Sequence, residues 1–439
     1  MKKITVIGTG YVGLVSGAGI SDFGHSVTCV DIDESKISSL ENGKIPIYEQ
    51  GLESLVKRNV EAKRLFFSSN VAAEVEKADV VFIAVGTPQD NNGTADISAV
   101  LKASETIGSS LNGYKVICTK STVPIGTGRK VIEAIKNNAG SSAMFDYVSN
   151  PEFLREGAAV QDFTHPDRVV IGAETQKAFE FMKDVYHPLY INETPIIHTN
   201  IETAEMIKYA SNAFLALKIS YINEIANFCE EVNADVFHVA KAMGLDGRIS
   251  PKFLHPGPGY GGSCFPKDTN ALASQAESAG VPLKTIQGAI DANTNQKSRM
   301  VDKLRILLDD SFNGKRIAVL GLSFKPETDD VRESSSISMI SALLNESATV
   351  CAYDPVSNDN MSSFFSKVSY QNSVYDAVKD ANAAVVMTDW NEFRSMDIPR
   401  IKSLMKTAVI LDTRNILNIT ELDENGIVYD NVGRKPRAK

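Results

Sequence analysis

The sequence predicts an α/β protein with two doubly wound parallel-sheet domains joined by a long central helix. Short apolar runs alternate with helical segments over residues 3–149, and the same alternation returns over residues 315–411. This alternation is typical of parallel sheets whose faces are covered by helices. Between the two regions, residues 201–233 carry apolar side chains at helical spacing. We therefore divide the 439 residues into regions 1–200, 201–300 and 301–439.

Composition and charge narrow the class of protein. Apolar residues make up 43% of the chain and charged residues 23%, as in ordinary globular proteins. The net charge of −9 gives no basic footprint for a nucleic acid, although a local cluster of Lys and Arg could still bind an anionic substrate. The five cysteines are widely spaced and the histidines show no ligand spacing, so we expect neither disulfides nor a metal. Glycines interrupt the apolar N-terminus, and we expect a cytoplasmic protein without a membrane partner.

The first turn carries the strongest local motif. Residues 8–13 read GTGYVG and lie between a predicted strand at 3–7 and a helix of small residues that ends near Phe23. The glycines allow a tight turn and close approach of a pyrophosphate, which the helix N-terminus stabilises. Asp31 ends the next predicted strand, where a carboxylate binds ribose hydroxyls and repels a 2′-phosphate. This context predicts a Rossmann-like domain for NAD rather than an incidental glycine-rich turn.

Three later strands of this region end in small or polar residues. The strands are predicted at 79–85, 115–119 and 145–149. They are followed by Thr87, Thr122 and Glu152 respectively. Ligands of open parallel sheets bind outside the carboxyl ends of strands, so we expect these side chains to face a cofactor or substrate. Each of them alone would be an ordinary turn residue, and Arg155 and Glu156 beyond them could be a solvated pair.

The central helix carries two polar residues on one face. Lys208 and Asn212 are four residues apart. Asn212 lies in apolar surroundings and needs a hydrogen-bond partner, whereas Lys208 could lie on a solvated face. The apolar surface of this helix is broader than one amphipathic face requires, which predicts burial against another domain or a second subunit.

Residues 255–268 combine glycines with a thiol and a carboxylate. The glycines leave room for another group to approach the backbone. We predict that Ser263 caps a helix with Pro266 in its first turn, which places Cys264 at the positive end of that helix. Asp268 then lies on the same face. The arrangement favours covalent catalysis, with a glycine-rich turn before a buried cysteine as the alternative.

The second sheet is predicted to differ at its first turn. We predict a helix at 291–308, strands at 315–321, 348–354, 383–387 and 408–411, and a helix at 336–344. Residues 321–324 read GLSF and lack the second and third glycines of the dinucleotide motif, so this turn should not hold a pyrophosphate in the Rossmann manner. Lys325 and Arg332 could reach a phosphate or be ordinary surface charges. We expect the tail 430–439 to be disordered.

Together these motifs resemble the nucleotide-sugar 6-dehydrogenases of the UDP-glucose/GDP-mannose dehydrogenase family. The resemblance runs from residue 1 to about residue 415 and rests on residues 8–13, 121–124, 150–156, 205–209, 255–268 and 324–334. It implies an N-terminal NAD domain, a central helix at a homodimer interface and a C-terminal UDP-sugar domain. The implied reaction is the oxidation of UDP-glucose to UDP-glucuronate, with two NAD reduced.

The resemblance also implies site residues. Cys264 matches the nucleophile, Lys208 and Asn212 match residues that stabilise oxyanions, and Asp268, Thr122 and Glu152 match residues that organise water and proton transfers. The positions implied for NAD are Gly8, Gly10, Tyr11, Val12, Gly13, Asp31, Lys36, Thr87, Thr122, Glu156, Lys267 and Arg332. The positions implied for the UDP-sugar are Glu152, Phe153, Leu154, Arg155, Lys208, Asn212, Arg248, Phe253, Leu254, His255, Pro256, Gly257, Gly261 and Lys325, with Arg248 reaching across the dimer.

Two alternatives stay open. The substrate could be GDP-mannose or UDP-N-acetylmannosamine, although the spacing of the glycines at 258–262 favours UDP-glucose. A protein of another class, a non-catalytic nucleotide-sugar sensor, would keep the fold without the chemistry. The presence together of Cys264, Lys208, Asp268 and Glu152 argues against it. Gln50 and His255 depart from the family pattern and affect only the local shape of the pocket.

Overall fold

The computed structural model describes residues 1–90, 93–141 and 144–435. It confirms the predicted α/β architecture, with two sheets and a long helix between them in the chain. The chain forms two compact units, Met1–Ser211 and the residues from Asn212 onward. Within the described ranges, every helix is too short or too polar to cross a membrane.

The first unit contains an eight-stranded sheet in the order β3-β2-β1-β4-β5-β6-β7-β8. In chain order the elements are β1 (Lys3–Ile7), α1 (Tyr11–Asp22), β2 (Ser26–Val30), α2 (Glu34–Glu41), α3 (Leu52–Glu61), β3 (Leu65–Ser68), α4 (Val71–Lys77), β4 (Val80–Ile83), α5 (Ser98–Ser109), β5 (Lys115–Thr119), α6 (Thr127–Asn138), β6 (Phe145–Ser149), α7 (Ala159–Thr164), β7 (Val169–Ala173), α8 (Gln176–Val185), a 3-10 helix (His187–Asn192), β8 (Ile196–Thr199) and α9 (Ile201–Val232). The strands pair in parallel as predicted, except β6 and β7, which are antiparallel. The helix α9 begins in the first unit and continues past Ser211.

Small side chains let α1 pack directly on this sheet. A Cβ atom at Gly13 would lie 1.9 Å from the carbonyl oxygen of Gly8, and one at Gly17 would lie 2.2 Å from Sγ of Cys29 in β2. All four residues of β4 are buried, as expected for a strand covered by helices on both faces. The predicted helix consists of small residues because larger side chains would separate it from the sheet.

The second unit contains a six-stranded parallel sheet in the order β11-β10-β9-β12-β13-β14. Its elements after α9 are α10 (Val236–Gly244), α11 (Phe265–Ser278), α12 (Lys284–Leu307), β9 (Arg316–Leu320), α13 (Ser335–Asn345), β10 (Thr349–Tyr353), α14 (Asn358–Ser362), β11 (Ser369–Tyr370), α15 (Val374–Val378), β12 (Ala383–Val386), α16 (Asn391–Arg394), α17 (Ile398–Leu404), β13 (Val409–Asp412), α18 (Ile419–Glu424) and β14 (Val428–Asn431). Numbered from its own first strand, this sheet repeats the order 3-2-1-4-5-6 of a dinucleotide-binding fold.

Two sequence predictions in this unit are wrong. The helix α12 starts at Lys284 rather than 291. The sequence did not reveal this start because the cap residue, Leu283, is not a residue type that signals a helix N-terminus. The tail is ordered as far as residue 435, since β14 includes Asp430, whose carboxylate lies 2.8 Å from Nζ of Lys303. The guanidinium of Arg434 lies 4.0 Å from the ring centroid of Phe237. The predicted disorder of residues 436–439 lies outside the described residues.

Candidate functional site

The β1–α1 turn has the shape that a dinucleotide requires. Gly8 has φ +102, and a Cβ atom there would lie 2.6 Å from the carbonyl oxygen of Ala84. Gly10 is the cap residue before α1, and a Cβ atom there would meet no described atom within 4 Å. Tyr11 and Val12 are half-buried in the first turn of the helix. The amides at the start of this 12-residue helix therefore border open space, which fits a pyrophosphate.

Asp31 lies beside that turn and stays partly exposed. Its Oδ2 accepts hydrogen bonds from the amide of Thr9 at 2.8 Å and from the hydroxyl of Thr9 at 2.7 Å, and its Oδ1 accepts one from the amide of Asp33 at 3.1 Å. Burial raises the pKa of Asp31, but these hydrogen bonds outweigh it and leave the pKa below its ordinary value. The carboxylate is thus ionised and fixed in orientation at the expected ribose position. Lys36 is exposed in α2.

Thr87 and Thr122 contact each other at the ends of their strands. The Thr87 hydroxyl donates to the carbonyl oxygen of Thr122 at 2.8 Å. Gly126, four residues after Thr122, and Gly128 lie at the start of α6. Their amides donate hydrogen bonds to the carboxylate of Glu205 in α9, at 2.6 Å and 2.8 Å. Burial raises the pKa of Glu205 to about 7, although both amides oppose the shift. Sequence reasoning gave Glu205 no role of its own, because its partners are 77 and 79 residues away.

Glu152 and Lys208 form a buried ion pair in the first unit. Oε1 of Glu152 lies 3.1 Å from Nζ of Lys208, and the two side chains are 5% and 4% exposed. Oε2 of Glu152 accepts a hydrogen bond from the amide of Leu154 at 2.5 Å. The Lys208 ammonium also lies 5.3 Å from the ring centroid of Phe153, with the Arg168 guanidinium 3.5 Å from that centroid. Desolvation makes such a pair costly to break, so Lys208 does not belong to a solvated face.

A second buried lysine was missed by the sequence reasoning. Lys120 is 4% exposed, and its Nζ lies 3.3 Å from Oδ1 of Asn150 and 3.4 Å from the hydroxyl of Tyr186. Burial lowers its pKa. Lys120 precedes Thr122 by two residues and Asn150 precedes Glu152 by two, so this contact ties together the two strand ends that carry them.

Glu49 anchors the segment that directly follows the site positions predicted at residues 153–156. Its buried carboxylate accepts hydrogen bonds from the Tyr11 hydroxyl, from the amide of Gly157 at 2.7 Å and from the amide of Ala159 at 2.9 Å. Arg155 pairs with Asp162 at 2.6 Å and is 64% exposed. Glu156 is half-buried. Glu49 is a second carboxylate that local sequence patterns did not single out.

In the second unit, Cys264 begins the 14-residue helix α11. Cys264 is itself the cap residue, so the prediction that Ser263 caps this helix is wrong, whereas Pro266 lies in the first turn as predicted. The thiol is partly exposed, and the Ser263 hydroxyl lies 3.6 Å from its sulfur. The amide of Asp268 donates to the carbonyl oxygen of Cys264 at 2.9 Å. A helix N-terminus favours the thiolate form of a cysteine at this position.

Asp268 is the centre of a polar cluster next to that thiol. Its carboxylate is fully buried, accepts a hydrogen bond from Nδ2 of Asn212 at 2.6 Å and forms a salt bridge with Lys267. Asn212 is 6% exposed, so its predicted need for a partner is met by Asp268. The pair with Lys267 offsets the cost of burying the Asp268 charge.

The glycines before Cys264 accommodate the protein's own chain. A Cβ atom at Gly261 would lie 2.3 Å from the carbonyl oxygen of Glu333, and one at Gly262 would lie 2.8 Å from the ring of Phe324. The amide of Gly262 donates to the carbonyl oxygen of Arg332 at 2.9 Å. The group that approaches this backbone is therefore the loop after β9.

The second unit also contains the other predicted substrate positions and the predicted cofactor position Arg332. Leu254, Pro256 and Gly257 are buried, Phe253 has φ +64, and the exposed His255 lies 3.1 Å from the carbonyl oxygen of Arg414. The Lys325 ammonium lies 5.4 Å from the Phe324 ring centroid. Arg332 pairs with Asp330 and Arg248 with Asp246, and both arginines are mainly exposed.

Metal and disulfide chemistry have no visible basis in the described residues. No group of three or more His, Cys, Asp or Glu side chains there could hold a metal ion. None of the five cysteines, each of which lies in a described range, forms a disulfide.

Comparison with known proteins covers the whole length of the chain. Family models for the UDP-glucose/GDP-mannose dehydrogenases match at residues 2–190 (NAD binding domain), 202–295 (central domain) and 318–419 (UDP binding domain). A UDP-glucose 6-dehydrogenase of Rhizobium meliloti is 49% identical over 98% of this chain and 99% of its own. One of Bacillus subtilis is 49% identical over 99% of this chain and 94% of its own.

Solved structures agree. A UDP-glucose dehydrogenase of Pyrobaculum islandicum superimposes with a TM-score of 0.92 at 35% identity, covering 99% of this chain and 98% of its own. A UDP-D-ManNAc dehydrogenase of Pyrococcus horikoshii gives a TM-score of 0.88 at 26% identity, covering 98% and 99%. The chain belongs to the UDP-glucose/GDP-mannose dehydrogenase family.

Proposed function

We propose that this protein oxidises UDP-glucose to UDP-glucuronate with two NAD, through a covalent intermediate on Cys264. The observation that carries the proposal is the partly exposed thiol at the start of α11, one turn from the buried cluster of Asp268, Asn212 and Lys267. Relatives named UDP-glucose 6-dehydrogenase that match almost the full chain support the choice of substrate over GDP-mannose and UDP-N-acetylmannosamine.

The residues that would hold NAD are those of the β1–α1 turn. The open space at Gly10 and the ionised, oriented Asp31 support this assignment. NAD, when bound, supplies the hydride acceptor for each oxidation. Tyr11, Val12, Lys36, Thr87, Thr122, Glu156, Lys267 and Arg332 are the further positions that we propose for the cofactor.

Cys264 is proposed as the nucleophile of the second oxidation. A hydride leaves readily from a carbon that also bears an alkoxide oxygen. An aldehyde carbon bears none until a nucleophile adds to it. The thiolate adds to that carbon to give a thiohemiacetal, whose oxidation leaves a thioester for hydrolysis. Asp268, held by Asn212, is proposed to organise the water and protons of that hydrolysis together with Glu152 and Thr122.

Lys208 is proposed to stabilise the oxyanions. Its ammonium is 4% exposed, so water screens it little, and a fixed cation in such surroundings is effective against developing negative charge. Glu152, 3.1 Å away, orients the ammonium group. Asn212 follows Lys208 by one turn of the same helix.

The test of this function is the fate of Cys264→Ala. We expect it to lose UDP-glucuronate formation by at least about 1,000-fold, the scale seen when a catalytic nucleophile is removed. Substrate and NAD binding should persist, because the thiol supports neither. The readouts are NADH absorbance and chromatography of the acid, with Cys351→Ala, which removes a buried thiol of β10, as the matched control.

Three results would contradict all or part of this proposal. Near wild-type acid formation by Cys264→Ala would make the thiol structural. A wild-type protein that forms no NADH with UDP-glucose, GDP-mannose or UDP-N-acetylmannosamine would favour the non-catalytic sensor. Faster turnover of GDP-mannose than of UDP-glucose would overturn the substrate assignment alone.

We further propose a homodimer formed through α9. Along one face of its second-unit part, Phe214, Tyr221, Phe228 and Val232 are 61%, 45%, 64% and 51% exposed. A contiguous apolar face of this kind marks an interaction surface, and a second copy of the same helix offers a complementary one. The finer assignments to the cytoplasm and to Arg248 reaching across the dimer rest on the same reasoning as in the sequence.

The dimer can be tested by light scattering. Phe228→Asp should shift the mass to that of one chain at micromolar concentration, because it places a charge in the centre of the apolar face. Phe364→Asp is the matched control, since Phe364 is 56% exposed in the same unit but does not belong to α9. A single-chain mass for the wild type would rule out the proposal.

A further inference from the structure

Amide side chains of α9 and α12 form hydrogen bonds with the backbone of residues 257–260. Oδ1 of Asn223 in α9 accepts a hydrogen bond from the amide of Gly257 at 2.8 Å, and Nε2 of Gln296 in α12 donates to the carbonyl oxygen of Gly257 at 2.8 Å. Asn293, also in α12, holds Tyr260 in both directions. Its Oδ1 accepts from the amide of Tyr260 at 2.7 Å, and its Nδ2 donates to the carbonyl oxygen at 3.1 Å.

This pattern reproduces with side chains what a neighbouring strand supplies in a sheet. A residue in a ladder gives one N–H and receives one at its C=O, and both groups of Gly257 and of Tyr260 are satisfied in that way here. The three amides are 1%, 6% and 1% exposed for Asn223, Asn293 and Gln296. At such burial, water does not replace a lost partner, so each bond fixes the position of the backbone.

The orientation of the Gln296 amide is itself fixed. Nδ2 of Asn227 in α9 donates to Oε1 of Gln296 at 2.9 Å, so Nε2 faces Gly257. On the same backbone, the Ser335 hydroxyl donates to the carbonyl oxygen of Pro258 at 3.0 Å. Gly259 has φ +103, and a Cβ atom there would lie 2.8 Å from Oδ1 of Asn293. A glycine is therefore required where the amide approaches most closely.

We propose that Asn223, Asn293 and Gln296 are positioning residues that fix the path of residues 257–260, and through it the UDP-sugar contacts at 253–261 and the thiol of Cys264. The proposal rests on the function proposed above. The amides contact neither substrate nor the reacting atoms and act through the backbone that they hold. Cys264 follows Tyr260 by four residues, so a shift of this backbone reaches the nucleophile directly.

The test compares Asn293→Ala with Asn295→Ala. Asn293→Ala removes both bonds to Tyr260, whereas Asn295 is exposed on the same helix, two residues away. For Asn293→Ala we expect the KM for UDP-glucose to rise by about tenfold, because loss of both bonds leaves the substrate contacts at 253–261 less fixed. The KM for NAD should stay within about twofold, because the amides hold Gly257 and Tyr260, which are not among the positions proposed for the cofactor.

A second readout needs no turnover. The other four cysteines are buried, so the rate at which iodoacetamide alkylates Cys264 can be followed by mass spectrometry of its peptide. The rate should change by about threefold or more in Asn293→Ala and in Gln296→Met, which keeps the shape of the side chain without its amide. Asn295→Ala should match the wild type. This measurement stays informative if UDP-glucose proves not to be the substrate. Failure of the positioning role and failure of the proposed function are therefore distinguishable.

Folded Asn293→Ala and Gln296→Met with wild-type KM values and a wild-type alkylation rate would overturn the proposal. Equal increases in both KM values would also overturn it, because they indicate general damage. Should Asn293→Ala not fold, Asn293→Asp decides by the same measurements. It keeps an oxygen for the amide of Tyr260 but loses the donor to the carbonyl.

Discussion

The first six strands of the eight-stranded sheet have the same order as the six strands of the second sheet, and both first turns begin with a glycine held in the same way. The acidic residue beside each turn is nevertheless used differently. The amide of Gly8 donates to the carbonyl oxygen of Val30 at 2.8 Å, and the amide of Gly321 donates to that of Tyr353 at the same distance. In both sheets, an aspartate directly follows the second strand. Asp31 is partly exposed, whereas Asp354 is 2% exposed.

The surroundings of Asp354 account for the difference. Its Oδ2 accepts from the amides of Leu322 at 2.7 Å and Ser323 at 3.1 Å and from Nε1 of Trp390 at 3.1 Å, and its Oδ1 accepts from two further amides. The helix α1 starts three residues after Gly8, but α13 starts only at Ser335. The second sheet therefore uses its acid internally, and the described residues 322–334 that follow its first turn form no helix. Topology alone does not make a dinucleotide site.

The largest effect on stability is expected at Gly321, the counterpart of Gly8, and it contrasts with the open position of Gly10. Gly321→Ala should cost about 4 kcal/mol of unfolding free energy, because φ is +93 and the new Cβ would lie 2.6 Å from the backbone nitrogen of Thr388. Gly10→Ala should cost less than about 1 kcal/mol, since its Cβ meets no described atom within 4 Å. Denaturant unfolding measures both. Equal costs would mean that the space around Gly10 is as tightly filled as the space around Gly321.

A smaller effect is expected at the two aspartates. Asp354→Asn should cost about 2 kcal/mol of unfolding free energy, because an amide group cannot accept at both ends and leaves buried donors unpaired. Asp31→Asn should change stability less and cofactor choice more, lowering the preference for NAD over NADP by about tenfold as the repulsion of a 2′-phosphate is lost. Steady-state kinetics with both cofactors, together with melting curves, separate the two effects. Unchanged discrimination in Asp31→Asn would remove Asp31 from the cofactor site.

Local sequence signals predicted the features that are local in the structure. The GTGYVG turn, the missing glycines after Gly321 and the strands β5 and β6 were all read from runs of a few residues. The pairing of β6 with β7 was not, because strand direction depends on packing far along the chain. The sequence analysis missed Glu205, Lys120 and the three amides Asn223, Asn293 and Gln296 for the same reason. Each of them bonds to partners 30 or more residues away. Their residue types are common in any sequence, and their roles depend on partners that only the fold brings close.

The central claim is that NAD binds at the open turn of the first unit and not at the closed turn of the second. Calorimetric titration of NAD into the wild type, Gly10→Val and Asp354→Asn tests it most directly, because binding is measured without turnover. We predict one NAD per chain for the wild type and for Asp354→Asn, and no measurable binding for Gly10→Val, whose side chain fills the open space. Undiminished binding to Gly10→Val, or two NAD per chain in the wild type, would contradict the account.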